Sequence, residues 1–436
     1  MRRKSVLFLF VIMFLLGSFS IASATSDWDL INLSQKGSPA EIRAAINAGA
    51  NPNADVKKYG WTPLMNAARH NAQPEVVTTL LKAGADVAVV DDNGWTALML
   101  AVRYNPNPEV TRRLLRASAE ADVGTSIVNA VNNEGWTALM YAACDKDPEA
   151  IMAFFNAGAD VRVQDSEGIS ALMLAAANNP NPASIRAIAD NAAAGTNGFD
   201  NEGRSALVWA AANNPNPKVT RALLSAGANV YLRDKKNRSV LMHAAANNPN
   251  PEVAREIMNA RGSVLVRDND GRNAIMHAAQ SNPEPEVLTL LLNRGADIDI
   301  NMRDKHGKTA ILLAAEKNPD PRILMELVKA GANVNVRDRD GATPLMYAAG
   351  FNRNTEMIMV ILHAGAELHV RDKSGMNALL YAARYNSDPG VVTALLNAGA
   401  DMKVRDRQGK HLLHYVGENL HLRETPLYRR LHHASR

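Results

Sequence analysis

Apolar residues recur along this chain in two helical patterns that alternate with turn residues. In one pattern Val110, Leu114 and Leu115 fall on a single face of a helix. In the other a turn residue precedes a small polar residue, an apolar pair and Ala-Ala, as in the stretch from Gly94 to Met99. The alternation predicts pairs of short helices joined by turns.

The second pattern occurs eleven times at a nearly constant period. Most successive turn residues are 34 positions apart, and one interval is lengthened to 41. A period in this range is typical of stacked helix pairs, which build extended binding surfaces. The turn residues are Gly60, Gly94, Gly135, Gly168, Gly203, Asn237, Gly271, Gly307, Gly341, Gly375 and Gly409.

Proline and glycine predict where the helices begin and end. In the segment from Asn105 to Pro108, Asn107 is a suitable N-cap and Pro108 a suitable first helical residue, while proline ends the preceding helix. A glycine follows the second helix in most repeats, as Gly227 does, and predicts its C-terminal stop. Between repeats, Val-x-Val-Arg-Asp-x-x-Gly predicts an extended arm and a tight turn.

The repeated unit resembles the ankyrin repeat. Each copy reads Gly-x-Thr-Ala-Leu-Met-x-Ala-Ala, a turn, Glu-Val-x-x-x-Leu-Leu, and then Ala-Gly-Ala-Asp/Asn-Val, over roughly residues 57–430. The resemblance implies an all-α solenoid of helix-turn-helix units with β-hairpin fingers. This sequence departs from the family in its 34-residue period and in Met at the usual His position, which only His414 keeps.

The repeats divide the chain into four expected regions. Residues 1–24 are interpreted as a signal peptide, 25–56 as an N-terminal capping helix pair, 57–405 as ten ankyrin units and 406–436 as a C-terminal capping unit and tail. The 41-residue interval places extra residues near Ala117 to Val128, and Asn191 to Phe199 also departs from the pattern. We expect loops in both places.

The first residues have the features of an export signal. Arg2, Arg3 and Lys4 precede an apolar run that ends near Leu16, and Ala22-Ser23-Ala24 is a suitable cleavage site. We expect a mature protein that begins near Thr25, in the periplasm first and secreted second, in a bacterium. An uncleaved anchor is the alternative, although the run is short for a bilayer span.

Charge argues against nucleic-acid binding through bulk attraction. The whole chain is +4, but three of its basic residues lie in the predicted signal, which leaves the mature chain near neutrality. The charge is unevenly distributed, since residues 25–230 are net acidic and residues 231–436 net basic. We expect no stable membrane insertion after signal removal, and a monomer, although head-to-tail packing remains an alternative.

Candidate partner-binding residues follow from the resemblance. The residue after the turn usually faces the concave side of an ankyrin array, and here the series runs from tryptophan to basic residues. Tryptophan is a favoured interface anchor, but it also packs on its own finger at this position. The candidates are Trp61, Trp95, Trp136, Arg204, Arg238 and Arg272, joined by the aromatic helix-end residues Tyr104, Phe351 and Tyr385.

A second ladder places arginine directly before the turn aspartate, as in Arg267-Asp268. It is interpreted either as a steering surface or as a chain of exposed ion pairs, each worth about 0–1 kcal/mol. The arginines are Arg233, Arg267, Arg303, Arg337, Arg371 and Arg405.

The sequence contains no recognisable catalytic motif, and we expect neither enzyme activity nor a cofactor or metal. His411 and His414 lie three residues apart, but His414 fills a family position where the ring typically bonds nearby backbone. A single cysteine, Cys144, excludes an intramolecular disulfide. The expected function is a scaffold that binds a partner protein in a concave groove. A secreted effector that binds a host protein is the alternative.

Overall fold

A computed structural model describes residues 26–55, 60–121, 127–144, 147–192, 195–295 and 298–434. The predicted signal, residues 1–24, therefore lies outside the described residues. The chain divides into an N-terminal unit that ends at Ser166 and a C-terminal unit that begins at Glu167. The described residues form 24 helices and no strand. This is the all-α repeat architecture that the sequence predicts.

The N-terminal unit contains eight helices among its described residues. They are α1 (Asp27–Lys36), α2 (Pro39–Asn47), α3 (Pro63–His70), α4 (Pro74–Lys82), α5 (Ala97–Tyr104), α6 (Pro108–Glu120), α7 (Ala138–Ala143) and α8 (Pro148–Asn156). The first pair precedes the repeats, and α2 begins in a capping box in which Ser38 and Glu41 bond each other's backbone N–H.

The C-terminal unit contains sixteen helices among its described residues. They are α9 (Ala171–Asn178), α10 (Pro182–Asn191), α11 (Ala206–Asn213), α12 (Pro217–Ser225), α13 (Val240–Asn247), α14 (Pro251–Asn259), α15 (Ala274–Ser281), α16 (Pro285–Arg294), α17 (Ala310–Lys317), α18 (Pro321–Lys329), α19 (Pro344–Phe351), α20 (Thr355–His363), α21 (Ala378–Tyr385), α22 (Pro389–Asn397), α23 (Leu412–Glu418) and α24 (Pro426–Ala434).

First helices pack on first helices, and second helices on second helices. The first helices are almost entirely buried because they consist of alanine, leucine and methionine. Met99 and Met242, at the register where the family favours His, are at most 1% exposed. Small side chains allow neighbouring helices to approach closely, and methionine fills the remaining gaps. Methionine at this register is therefore core.

Each turn residue that the sequence singled out adopts a left-handed backbone conformation. The φ of the ten glycines lies between 68° and 84°, and Asn237, the one non-glycine, has a φ of 63°. Asparagine tolerates this region better than other side chains. The glycines that follow second helices, such as Gly227, also have positive φ. Both predicted uses of glycine are confirmed.

The fingers differ from the β-hairpins that the family resemblance implies. They are tight turns closed by single bridges, as between Val90 and Thr96 or Arg233 and Ser239, without extended strands in the described residues. The loop expected near Ala117 to Val128 is also partly wrong, because α6 continues to Glu120 before the chain leaves the helix. Residues 122–126 lie outside the described part.

In most repeats, a buried or half-buried asparagine after the first helix bonds to the preceding repeat. The Asn248 amide donates to the carbonyls of Ala211 and Asn214 at 3.0 and 2.9 Å, and its oxygen accepts the Asn250 backbone N–H at 3.0 Å. In three Asn-Pro-Asn-Pro segments the first asparagine makes this inter-repeat bridge, namely Asn105, Asn214 and Asn248. The second caps the following helix, as Asn250 does for α14. The motif therefore joins repeats as well as separating helices.

We predict that Asn248→Ala destabilises the protein by about 2–4 kcal/mol, because two buried carbonyls lose their donor. Urea unfolding followed by circular dichroism measures the effect. Asn247→Ala is the matched control, since the adjacent Asn247 is exposed and bonds only within its own helix, to the His243 carbonyl. Equal losses in the two variants would contradict the bridging role.

Candidate functional site

Nine finger turns start with an aspartate that organises the residues around it, and Asn132 takes its place in the turn that ends at Gly135. In Asp234, Oδ1 accepts the backbone N–H groups of Lys236 and Arg238 at 2.9 and 2.8 Å, which closes the turn. Its Oδ2 accepts Arg238 Nε at 2.8 Å and lies 2.9 Å from His243 Nε2. The side chain is buried, yet these bonds hold the pKa of the Asp234 carboxyl well below its usual range, despite the opposing effect of burial.

The outer oxygen of this aspartate usually contacts the residue nine positions later, on the first helix of the same repeat. Tyr347 and Tyr381 donate to Asp338 and Asp372 at 2.7 and 2.9 Å. The remaining pairs are Trp209 with Asp200, His243 with Asp234, His277 with Asp268, and Tyr415 with Asp406. Side chains with an N–H or O–H at this helix position thus satisfy a largely buried carboxylate.

Three repeats have leucine nine positions after the aspartate, and there the donor comes from the preceding repeat. Trp61 Nε1 donates to Asp91 at 3.0 Å and Trp136 Nε1 to Asp165 at 3.1 Å. Arg272 Nε donates to Asp304 at 2.9 Å. In each case the donor is the residue directly after the preceding turn. It replaces the side-chain donor that leucine cannot supply nine residues after the aspartate. The leucines are Leu100, Leu174 and Leu313.

We define the groove face by the residues after the turns and the last two residues of the first helices. In the N-terminal unit this face forms a pocket of about 580 Å³ lined by Trp28, Trp61, Arg69, Trp95 and Tyr104, among others. The Arg69 guanidinium carbon lies 4.0 Å from the centre of the Tyr104 ring and 5.3 Å from that of Trp61. A cation held between aromatic faces remains available to an anionic group.

Beside this pocket three aromatic rings form a stack. Tyr141 lies between Trp95 and Trp136, with ring-centre distances of 4.9 and 5.0 Å. The Asn132 amide donates to the Tyr141 hydroxyl at 3.0 Å, and burial raises the pKa of Tyr141 to about 12. The phenol is therefore neutral at physiological pH, and its role here is packing.

A second aromatic cluster lies in the C-terminal unit. Phe351 and Tyr385 stack with their ring centres 5.4 Å apart, and each is a little less than half exposed. Tyr347 and Tyr381 support them from the preceding turns of the same helices. The Arg384 guanidinium lies 5.0 Å from the Tyr385 ring. Exposed aromatics beside a cation are the kind of side chain that anchors protein partners.

The family description "Ankyrin repeats (3 copies)" matches residues 70–161, 139–234, 211–302, 241–338 and 311–406, which together span most of the chain. The chain belongs to the ankyrin-repeat family. Ankyrin repeats generally mediate protein–protein interaction. No individual curated protein matched the sequence.

In this ankyrin array, the predicted site residues fall into two groups, those already bonded within the fold and those that remain exposed. Trp61 and Trp136 are half-buried and hold finger aspartates, and Trp95 stacks in the aromatic row. The basic members are also engaged: Arg204 and Arg238 pair with buried Asp200 and Asp234 at 2.7 and 2.8 Å, and Arg272 pairs with Asp304. Tyr104, Phe351 and Tyr385 remain the most exposed of the predicted set.

The series after the turn is less exposed than the resemblance implies. Ile169, Ala342 and Met376 are buried in the repeat stack, at 8%, 2% and 3% exposure. Sequence reasoning also missed Arg69, Arg384 and Tyr141, which complete the aromatic clusters. For Arg384 a signal was available in the sequence, since Arg precedes the helix-end aromatic in Arg384-Tyr385 as it does in Arg103-Tyr104.

The arginine ladder before the turns does not form the ion pairs that one interpretation expected. Arg303 donates instead to the carbonyls of Gly307 and Arg337, at 2.8 and 2.6 Å. Arg267 and Arg337 repeat this arrangement toward Gly271 and Arg303, and toward Gly341 and Arg371. The neighbouring aspartates are already occupied by turn N–H groups and helix donors, so the guanidiniums take backbone partners.

The geometry offers no cluster of three or more metal-binding side chains within the described residues. His414 lies 3.0 Å from Glu418 Oε1, a side-chain partner rather than the backbone that the family resemblance implies. No helix in the described part of the chain combines the length and the hydropathy needed to cross a bilayer.

We predict that Trp61→Phe lowers the free energy of unfolding by about 1–2 kcal/mol, because Asp91 loses a donor. Adding Leu100→Tyr should restore much of the loss, since a tyrosine nine residues after the aspartate supplies the O–H seen in Tyr347. Chemical denaturation of the single and double variants tests this coupling. Trp95→Phe keeps the ring stacking and serves as control. Additive losses in the double variant would contradict the compensation.

The buried His243 predicts a pH-dependent stability. Burial lowers its pKa, and the charges of Arg238 and His277 act in the same direction, while Asp234 opposes them. The unfolded chain therefore binds a proton more readily, and stability should fall as the pH drops below about 6.5. Folding free energies between pH 7.5 and pH 5 measure this loss.

His243→Gln should keep a donor for Asp234 but weaken that pH dependence. His306→Gln, at an exposed finger tip, is the control and should leave the profile unchanged. If His243→Gln lost stability toward pH 5 as steeply as the wild type, His243 would not be the titrating group.

Proposed function

We propose that this protein is an exported scaffold that holds a partner protein on its groove face. Its ankyrin repeats support the general class, since such repeats generally mediate protein–protein interaction. The observation that carries the proposal is the presence of exposed aromatic residues beside stacked guanidiniums on this face. Tyr104 with Arg69, and Tyr385 with Arg384, are the two examples.

The two clusters suit the central part of a protein interface. Tyrosine and phenylalanine give a large contact area at little entropic cost, and arginine adds hydrogen bonds to a partner's carbonyl or carboxylate groups. Because Arg69 and Arg384 contact ring faces, they retain N–H groups for such a partner. Trp61 and Trp136 contribute less directly, by holding the fingers that border the pocket.

Export rests on the first 24 residues, which suggest a signal peptide and a bacterial periplasmic address. A secreted effector that binds a host protein would use the same surface and differ only in location. We predict that intact-mass measurement of the exported protein gives a chain that begins near Thr25. A mass that retains Met1–Ala24 would indicate an anchor instead, and cell fractionation would separate periplasmic from secreted protein.

The partner itself is identified by crosslinking the protein in its own cell envelope. With that partner immobilised, we predict that combined Tyr104→Ala, Phe351→Ala and Tyr385→Ala substitution speeds dissociation by about tenfold or more, as expected for interface anchors. These residues are preferred to Trp61 and Trp136 because they do not hold finger aspartates.

Tyr231→Ala is the matched control, because Tyr231 is a 64% exposed aromatic on a finger arm. It should leave partner dissociation unchanged, and circular dichroism should show that both variants fold. If the triple variant bound the partner as the wild type does, the groove face would not be the interface.

A further inference from the structure

The fingers of the C-terminal unit present a dense row of exposed cations. We define this basic finger edge by twelve residues in six successive turns. All twelve are exposed, and within the described part of the chain none forms an ion pair with a carboxylate. They are Arg233, Lys235, Lys236, Arg267, Arg303, Lys305, Arg337, Arg339, Arg371, Lys373, Arg405 and Arg407.

The acidic residues of the same turns do not cancel this charge at the surface. Asp234, Asp268, Asp304 and Asp372 are buried, and their oxygens accept turn N–H groups and side-chain donors. Asp338 and Asp406 are half-buried and are bonded in the same way. Only Asp270 and Asp340 are exposed carboxylates in these six turns. The edge is therefore strongly cationic although the mature chain is nearly neutral.

Backbone carbonyls hold several of the guanidiniums in place without neutralising them. Arg303 bonds the carbonyls of Gly307 and Arg337, and Arg371 bonds that of Arg405 at 3.2 Å. An arginine has five N–H donors, so each retains donors that point to other partners. Fixed guanidiniums lose little entropy when they bind a carboxylate, and they can bind it through two hydrogen bonds.

The row has the pitch of an extended polypeptide. Packed helices in neighbouring repeats lie about 8–10 Å apart, and a chain in the extended polyproline II conformation advances about 3.1 Å per residue with every third side chain on the same face. An acidic side chain at every third position would therefore meet successive turns of the edge. We propose that the basic finger edge binds an extended acidic segment of a partner protein. This surface is separate from the groove face, so the proposal does not depend on the function proposed above.

A second copy of this chain is a poorer occupant. Within the part of the chain that the structure describes, the earlier finger turns carry four exposed carboxylates, from Asp92, Glu134, Glu167 and Glu202. At the position where the later turns have arginine, these earlier turns have Val90, Val131 and Phe199, each about half exposed. Four carboxylates cannot balance twelve cations, whereas an acidic segment can.

Fluorescence anisotropy with a labelled peptide of six Glu-Gly-Ser repeats tests the proposal on the purified full chain. We expect binding that weakens steeply with added salt, and little binding of the matched Gln-Gly-Ser peptide. Combined Lys235→Gln, Lys305→Gln and Lys373→Gln should weaken binding by about tenfold at low salt, on the scale of three exposed charge pairs. These lysine side chains make no hydrogen bond in the described structure, so the variant should keep its fold.

Combined Lys218→Gln, Lys317→Gln and Arg353→Gln is the matched control. It removes the same charge from exposed positions outside the finger turns, since Lys218 lies at the start of α12, Lys317 at the end of α17 and Arg353 just after the end of α19. It should leave peptide affinity within about twofold of the wild type, an effect below the scale of even one strong exposed pair. Equal weakening by both variants would overturn the proposal, because only net charge would then matter.

Three further outcomes would also overturn it. The first is equal affinity for the glutamine peptide. The second is binding to duplex DNA or to anionic phospholipid vesicles, lost in the finger variant, without binding to the glutamate peptide. The third is self-association in analytical ultracentrifugation that the finger variant abolishes, because the edge would then contact a second copy.

Discussion

The buried asparagine bridge is the interaction on which the repeat stack depends. A first helix that ends at Asn-Pro leaves carbonyl groups without partners, because proline supplies no N–H. The amide of the next repeat satisfies two of them at once, as Asn248 does for Ala211 and Asn214. One side chain thus ends a helix, fixes the spacing between repeats and orders the turn that follows. Its removal would leave buried polar groups on both repeats.

The finger aspartate imposes the second constraint, and it limits which groove residues are free to bind a partner. A largely buried carboxylate needs a donor, and in the nine turns that begin with aspartate it comes either from nine residues later or from the residue after the preceding turn. Trp61, Trp136 and Arg272 supply it where the helix has leucine. Tryptophan is common at protein interfaces, but Trp61 and Trp136 stabilise the fold here. Side chains outside this bond, such as Tyr104, are therefore the better candidates for binding a partner.

The sequence predicted the period, the turn residues and the helix boundaries because each depends on local backbone chemistry. A left-handed turn favours glycine, and an Asn-Pro step both ends and begins a helix. The roles of Gly227 and Asn107 could therefore be predicted from the local sequence alone. The hydrogen-bond partners of Arg303 could not be predicted, because they depend on which donors already occupy the Asp304 carboxylate. The pairing of Trp61 with Asp91 likewise requires knowing that Leu100 offers no donor. The sequence identifies a buried group that needs a hydrogen bond, but only the packed structure shows which side chain supplies that bond.

The bonding of the finger aspartates also explains why the groove face and the basic finger edge differ. On the groove face, donors turn inward to satisfy finger aspartates, which leaves aromatic rings and a few stacked guanidiniums exposed. On the finger edge of the C-terminal unit, those aspartates are already satisfied, so Arg267 and Arg303 bond backbone carbonyls and keep their charge. Because the carboxylate of each of these turns bonds other donors, the arginine before it stays an unneutralised cation at the surface. The charge of this edge follows from how the fingers fold, and the similar totals of basic and acidic residues in the whole chain, 48 and 44, conceal it.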